Sequence, residues 1–300
     1  MADWTLLGDG QLAQTFGSTL ATDPTTNTNT AVGCRGVALT TGATAQTKGA
    51  WVTVIASVPF DASGFILSVP YMSAISAAFI DIGVGVTPQI ILADFMVNAM
   101  HLLQAGYAVY IPIGLRSGEV VSARVQCSAT AGVVDVLLTP VGVGFAPASP
   151  LSIGRAYGAL TNALTRATTV NPYTGGTQPT DKFAGVKGAY SVLGAGGLAT
   201  GTVSEPISQL LVTFGSRGTF SQNTNRWAVD IAVGAAGSEQ IIIGDLLMAM
   251  HVLPDHPGSR YIGPFPCHIP SGSSLSARTS INLSGQVSNY TFGMLVHGFS

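Results

Sequence analysis

One pattern runs through this chain twice. Asp81-Ile82-Gly83-Val84-Gly85 returns as Asp230-Ile231-Ala232-Val233-Gly234. Gln89-Ile90-Ile91-Leu92-Ala93-Asp94 returns as Gln240-Ile241-Ile242-Ile243-Gly244-Asp245. Ala99-Met100-His101 is matched by Ala249-Met250-His251, and Ser122-Ala123-Arg124 by Ser276-Ala277-Arg278. The order is kept and the offset stays between 149 and 154. A period of that length describes two copies of a whole domain, because solenoid repeats recur every ~20–50 residues. Each copy is long enough to bury a core without disulfides or metals.

Between these landmarks lie short runs rich in Val, Ile, Thr and aromatic residues, broken by Gly, Pro and Ser. In the first copy they are Trp51 to Ala56, Gly64 to Val69, Ala77 to Val84, Val120 to Cys127 and Val133 to Leu138. In the second they are Ser208 to Phe214, Arg226 to Val233, Leu275 to Leu283 and Tyr290 to Val296. Such runs predict the strands of a sandwich or barrel. Pro112 and Pro266 each stand five residues before a Ser-Gly pair, which reads as an edge strand, a tight turn and a new strand. The expected fold is all-β: two tandem duplicated β-sandwich domains, jelly-roll-like, with extended N-terminal and inter-domain arms. The stretches Leu92 to Leu103 and Ile243 to Leu253 show apolar residues near helical spacing and predict a short, partly helical crossover.

The domain limits follow from where the pattern fails. Residues 1–48 form a first arm, 49–142 the first sandwich, 143–187 a linking arm and 188–300 the second sandwich. The first arm holds the polar run Thr25 to Thr30, which cannot bury enough apolar surface to fold alone. Trp4, Leu6 and Leu7 offer an apolar anchor at its far end. Ordering such a strap costs about 1–2 kcal/mol per residue in backbone entropy, so the expectation is that it packs on a neighbouring subunit.

Charge is scarce. Only 9% of residues are Asp, Glu, Lys or Arg, where about 25% is usual. Mean hydropathy is +0.43. A surface so poor in charge suits a subunit that buries its exterior against other protein; a stable extracellular β-protein is the other reading. Net charge is −2 with three lysines, Lys48, Lys182 and Lys187, and no basic run. Neither a nucleic-acid footprint nor a polybasic membrane segment is expected. The uncharged stretch from Ala62 to Ile80 is long enough to span a bilayer by count. It carries Gly64 and Pro70, and its counterpart near Pro206 to Arg226 is polar, so a span is not expected. Met1-Ala2-Asp3-Trp4 opens without a basic or apolar leader, so no signal peptide is expected. Cys34, Cys127 and Cys267 fit no zinc spacing and no even disulfide framework, and read as small buried hydrophobes.

In so uncharged a chain, charges that recur are placed for a reason. They are Asp81 and Asp230, Asp94 and Asp245, and Arg124 and Arg278. The expectation is an Arg–Asp pair bracing two strands in each body, with an intersubunit ion pair as the sharper alternative. His101 and His251 also recur, but no second ligand stands at a metal spacing, so no metal or cofactor is expected. No Gly-x-Ser-x-Gly elbow occurs, and Gly194-Ala195-Gly196-Gly197 lacks the Lys of a phosphate loop.

The repeated strings, Asp81 to Gly85, Ile90 to Asp94 and Pro112 to Arg124, with their counterparts Asp230 to Gly234, Ile241 to Asp245 and Pro266 to Arg278, resemble a β-sandwich unit of structural proteins in tailed-bacteriophage particles. The resemblance implies a virion component without enzymatic activity, assembled in the host cytoplasm. The strings do not separate capsid from tail; the long arms, the low charge and the absence of triple-repeat fibre sequence favour a capsid decoration or cement (minor capsid) protein. Its implied partners are itself, as a homo-oligomer such as a trimer, and the major capsid protein. A tail, collar or fibre-base component uses similar modules. From a different class, a carbohydrate-binding adhesion module would stack sugars on Trp4, Trp51 or Trp227.

Overall fold

The computed structural model describes residues 36–44, 47–73, 77–98, 107–127, 132–142, 154–157, 181–182, 186–193, 202–217, 225–250, 260–281 and 291–300. Trp4, Leu6, Leu7, the polar run at 25–30, His101 and His251 lie outside them, as does most of the 143–187 segment. The described residues form strands and no helix. The chain divides into two compact units, Met1–Ala93 with Ala105–Gly154, and Asp94–Gln104 with Arg155–Ser300.

The first repeat contributes β1 (Val37–Thr40), β2 (Val52–Ile55), β3 (Gly64–Ser73), β4 (Ala77–Val84), β5 (Gln89–Asn98), β6 (Tyr107–Ile111), β7 (Val121–Cys127) and β8 (Val133–Val141). One sheet runs β1-β8-β3-β6, and the other strands follow the order β5-β4-β7-β2. With the eight strands numbered along the chain, that double-sheet order is the jelly roll, in which each sheet takes alternate strands of two Greek keys. Its interior is filled by Phe65, Leu67, Ile80, Ile82 and Val136, all fully buried.

The second repeat contributes β9 (Gly154–Tyr157), β10 (Asp181–Lys182), β11 (Ser191–Val192), β12 (Ile207–Arg217), β13 (Asn225–Val233), β14 (Gln240–Met250), β15 (Arg260–Ile269), β16 (Leu275–Ile281) and β17 (Thr291–Phe299). The orders β15-β12-β17-β9 and β14-β13-β16, with β11 on β16, reproduce the first unit strand for strand. The added strand β10 pairs parallel with β16. Even register is kept: Val52 faces Ala123 as Ser191 faces Ala277. The second core gathers Leu210, Val212, Val229, Ile231, Leu275 and Val296.

The uncharged stretch Ala62 to Ile80 is β3 followed by the start of β4, two sandwich strands. Both prolines mark edges, since β6 ends at Ile111 and β15 is the terminal strand of its sheet. The turns that follow pass through Gly118 (φ 85°) and Gly272 (φ 82°), a left-handed conformation that glycine adopts without strain.

The crossover expected to be partly helical is instead strand, β5 and β14. Its apparent helical spacing has a physical source. Asp94 and Asp245 occupy left-handed backbone, φ 50° and 51°. The pairing of β13 with β14 slips there, with Val229 opposite Leu246 but Ile231 opposite Ile243. Such a bulge puts one extra residue between two inward side chains. Ile243 and Leu246 therefore both face the core at a spacing of three, and a period-two strand imitates a helix.

One difference between the copies explains itself by packing. A side chain at Gly83 would stand 3.0 Å from the Trp51 ring and 2.9 Å from Pro88. The second copy has the smaller Tyr190 in place of Trp51, and there Ala232 replaces Gly83. Gly83→Ala is therefore expected to destabilise the first unit by about 1–3 kcal/mol, with added Trp51→Tyr recovering part of the loss. Urea unfolding of the two variants beside wild type measures both effects.

Candidate functional site

The alternation of β13 sends Val229 and Ile231 into the second core and Asp230 to the opposite face. That face is where the repeated charges meet. Asp230 lies directly across from Arg278 in β16. Arg278 Nε donates to Asp230 Oδ2 at 2.9 Å, and Lys187 Nζ donates to Oδ1 at 2.7 Å. The backbone N–H of Asp245 donates to Oδ1 as well, at 2.9 Å. The bulge at Asp245 thus supplies a donor to a carboxylate on the neighbouring strand. Lys187 also reaches the Asp245 carboxylate at 2.8 Å and the Ala228 carbonyl at 3.1 Å. The Arg278 guanidinium lies 4.5 Å over the Tyr190 ring, a cation–π contact.

The first unit repeats the arrangement. Asp81 is opposite Arg124 in β7. Arg124 Nε donates to Asp81 Oδ2 at 2.8 Å, Lys48 Nζ to Oδ1 at 2.7 Å, and the Arg124 guanidinium covers the Trp51 ring at 4.5 Å. Both carboxylates are buried, with side chains 3% and 4% exposed, while their cations keep 17–28%. The structure thus brings Asp81 together with Arg124, and Asp230 with Arg278 and Asp245. Asp94 shares the left-handed backbone of Asp245.

Sequence reasoning placed the arginines and aspartates but missed the lysines and the aromatic covers. The signal was present. Lys48-Gly49-Ala50-Trp51 matches Lys187-Gly188-Ala189-Tyr190, and these hold two of the three lysines in the chain. The glycine between has its own task. Gly49 N–H donates to Val125 O at 2.8 Å and Gly188 N–H to Thr279 O at 2.9 Å. A Cβ at Gly49 would stand 1.9 Å from the Thr40 carbonyl oxygen. This close approach sets each lysine over the sheet.

Electrostatically the cluster favours ionised carboxylate. Burial pushes the Asp230 carboxyl up, but the Asp245 N–H, Lys187 and Arg278 together outweigh it and hold it below the usual carboxylate range. Both carboxylate oxygens of Asp230 are engaged in joining strands, while the Asp245 side chain remains 80% exposed. Among the described residues, no three His, Cys, Asp or Glu side chains gather to hold a metal ion.

A second buried group lies in β17 of the second unit. His297 is fully buried, neither ring nitrogen has a hydrogen-bond partner, and burial holds its imidazole down at about 3.

No family model matches this chain, and no curated protein matches it. Among solved structures, it is similar to the N-terminal CBM22-1–CBM22-2 tandem domain of Xyn10C from Paenibacillus barcinonensis. That likeness has 10% identity, covers 87% of this chain and 85% of that one, and has a TM-score of 0.21. A superposition of that quality carries no weight for fold or function.

The single variant Arg278→Ala leaves Lys187 on the carboxylate and is expected to cost about 1–3 kcal/mol. The pair Lys187→Ala with Arg278→Ala abandons a buried charge and is expected to cost about 3–5 kcal/mol. Chemical denaturation with a probe on the second unit reports both.

Acid acts in two windows. The lowered imidazole of His297 makes stability fall as pH drops below the unfolded value of about 6.5, by roughly 1.4 kcal/mol per unit. That loss is expected to shrink in His297→Gln. The lowered Asp230 carboxyl adds stability that is present above about pH 3.9 and is lost as pH falls further. Melting temperatures from pH 7 to pH 3 resolve the two steps.

Proposed function

We propose that this chain is a non-enzymatic structural subunit of a tailed-bacteriophage particle, a capsid decoration or cement protein that stabilises the shell through oligomeric contacts. The observation that carries the reading is the use made of charge. On the outward side of each sheet, the carboxylates of Asp81 and Asp230 are covered and engaged by their own lysines and arginines as strand braces. The exterior keeps apolar side chains such as Val86, Ile241 and Leu247 in solvent, at 93%, 49% and 65% exposure. Exposed apolar surface on a β-sandwich suits burial in an assembly. The strings that resemble phage structural modules coincide with β4, β5 and β7, and with β13, the bulged β14 and β16.

Sugar binding through Trp51 or Tyr190 is disfavoured, because an arginine occupies one face of each ring. A place in the tail or collar would use the same body with a different partner.

The test is addition of purified protein to shells stripped of it. Wild type is expected to co-sediment with them and raise their melting temperature. Deletion of residues 2–30 is expected to keep the β circular-dichroism spectrum while weakening attachment about tenfold, a 1.4 kcal/mol loss. Binding to a glycan array without binding to shells would overturn the reading, and a truncated chain that attaches as tightly as wild type would remove the strap.

A further inference from the structure

In β17, Val296 faces the second core, so His297 faces outward from its sheet, yet it is 0% exposed. Neither ring nitrogen has a hydrogen-bond partner. The same outward face holds Leu211 of β12, directly across from His297, and Thr213, two residues further along. These are 1% and 0% exposed, and the Thr213 hydroxyl is also without a partner. Polar groups buried in this way disfavour the covered state, because water would satisfy them.

Over this face lies the end of β5. The segment Asp94–Gln104 belongs to the second unit. In it Phe95 tilts onto the His297 ring with centroids 4.9 Å apart and stacks on Tyr261 at 5.1 Å. Tyr261 Oη donates to the Met96 carbonyl. Phe95 and Met96 are 0% and 1% exposed, and Asp94 before them is in left-handed backbone, φ 50°. The duplication shows the same positions uncovered. Phe65 faces Ile111 as Leu210 faces Phe265, so Thr139, across from Ile66, stands where His297 does. Thr139 is only half-buried. Leu247 stands where Met96 does and is 65% exposed. The repeat therefore does not require a histidine at this place, and the histidine occurs where the face is covered.

The strands around the ring carry few titratable groups. β12 has Arg217 at its end, across from Thr291. β15 has Arg260 and the Tyr261 phenol at its start, with Cys267 and His268 towards its other end. β9 has Arg155, and β5 has Asp94, the one carboxylate among them. None of these is hydrogen-bonded to the imidazole. Burial holds the ring down at about 3.

We propose that His297 is an acid-operated release for the end of β5: a ring that takes up a proton cannot stay under Phe95, so Phe95 and Met96 part from the outward face of β12, β15 and β17. The sheet behind the ring is held by unbroken pairing of β12 with β17, from Gln209 opposite Phe299 to Arg217 opposite Thr291. Lifting the cover hydrates the imidazole without breaking that ladder, so the cover gives way before the sheet does. Uncovered, the imidazole returns to its ordinary value of 6.5. Below about pH 6.5 the ratio of uncovered to covered chain therefore rises about tenfold per unit of pH. Histidine is the side chain suited to such a switch, and what acid exposes here is apolar. The inference does not depend on the virion reading.

The test uses the full chain and the oxidation of Met96 to its sulfoxide by dilute hydrogen peroxide, read by peptide mass spectrometry from pH 7 to pH 4. The thioether does not titrate, so its rate reports exposure. Met294, 0% exposed in the core, reports unfolding of the whole unit. In wild type the Met96 rate is expected to rise about tenfold per pH unit below about 6.5, while Met294 stays slow. His297→Thr, which installs the residue of the first unit, is expected to flatten that slope; His297→Gln replaces it if it melts early. His101→Gln and His268→Gln remove other histidines and are expected to keep the wild-type slope. The proposal is overturned if the wild-type Met96 rate does not change with pH, or if Met294 oxidises in step with it. It is equally overturned if the slope survives in the His297 variant or is lost in His101→Gln or His268→Gln.

Discussion

Each unit depends on one buried carboxylate on the outward side of a sheet. Asp81 and Asp230 stand where strand alternation demands a side chain facing away from the core, and yet they are almost fully covered. A carboxylate in that position is costly unless both oxygens are engaged by cations or N–H groups. The rest of the local structure meets that demand. An arginine comes from the neighbouring strand, a lysine from the segment entering the body, and an aromatic ring lies under the guanidinium. In the second unit a bulge adds its own backbone N–H. The cluster joins the entering segment, β13, β14 and β16 through one point.

This arrangement accounts for features with no other evident purpose. A non-glycine residue in left-handed backbone is strained, and aspartate tolerates it better than most. Both copies hold aspartate there, at φ 50° and 51°, and in the second the conformation presents the Asp245 N–H to the Asp230 carboxylate. The aromatic cover then sets the size of its neighbour, with Trp51 over Gly83 and Tyr190 where Ala232 stands. Two substitutions far apart in sequence are thus one packing decision.

Much of the fold was legible because duplication removes noise. A run of β-branched residues seen once is ambiguous, but seen twice in the same order it marks a strand, and β4, β7, β13 and β16 fall where those runs predict. The all-β class followed from them. β5 and β14 were misread because left-handed residues, Asp94 and Asp245, interrupt them, and at Asp245 a bulge breaks the period on which strand recognition rests. The charge cluster was half legible. Asp81 and Arg124 carry a repeated identity, whereas Lys48 and Trp51 sit at a different offset, beyond a loop of unequal length, with Lys48 read as the end of the arm and Trp51 as the start of the first strand run. Burial was not legible at all. Ile91 and Ile242 are the same residue in the same string, and one is 1% exposed while the other is 37%.

That last contrast bears on how such a duplication is used. Two copies of one sequence pattern fold to one topology because the topology is set by inward residues and by the brace, and both are retained. The outward residues are under no such constraint from the copy's own core. Their exposure depends on what lies against them, and a chain of finite length leaves its repeats in different surroundings. An outward isoleucine kept in both copies, buried in one and half in solvent in the other, is hard to account for by the stability of a lone chain. An exposed apolar side chain contributes nothing there and favours unspecific association. The few charges follow the same division: those of Asp81 and Asp230 with their cations are used in holding strands together, where an unpaired charge would carry a desolvation cost.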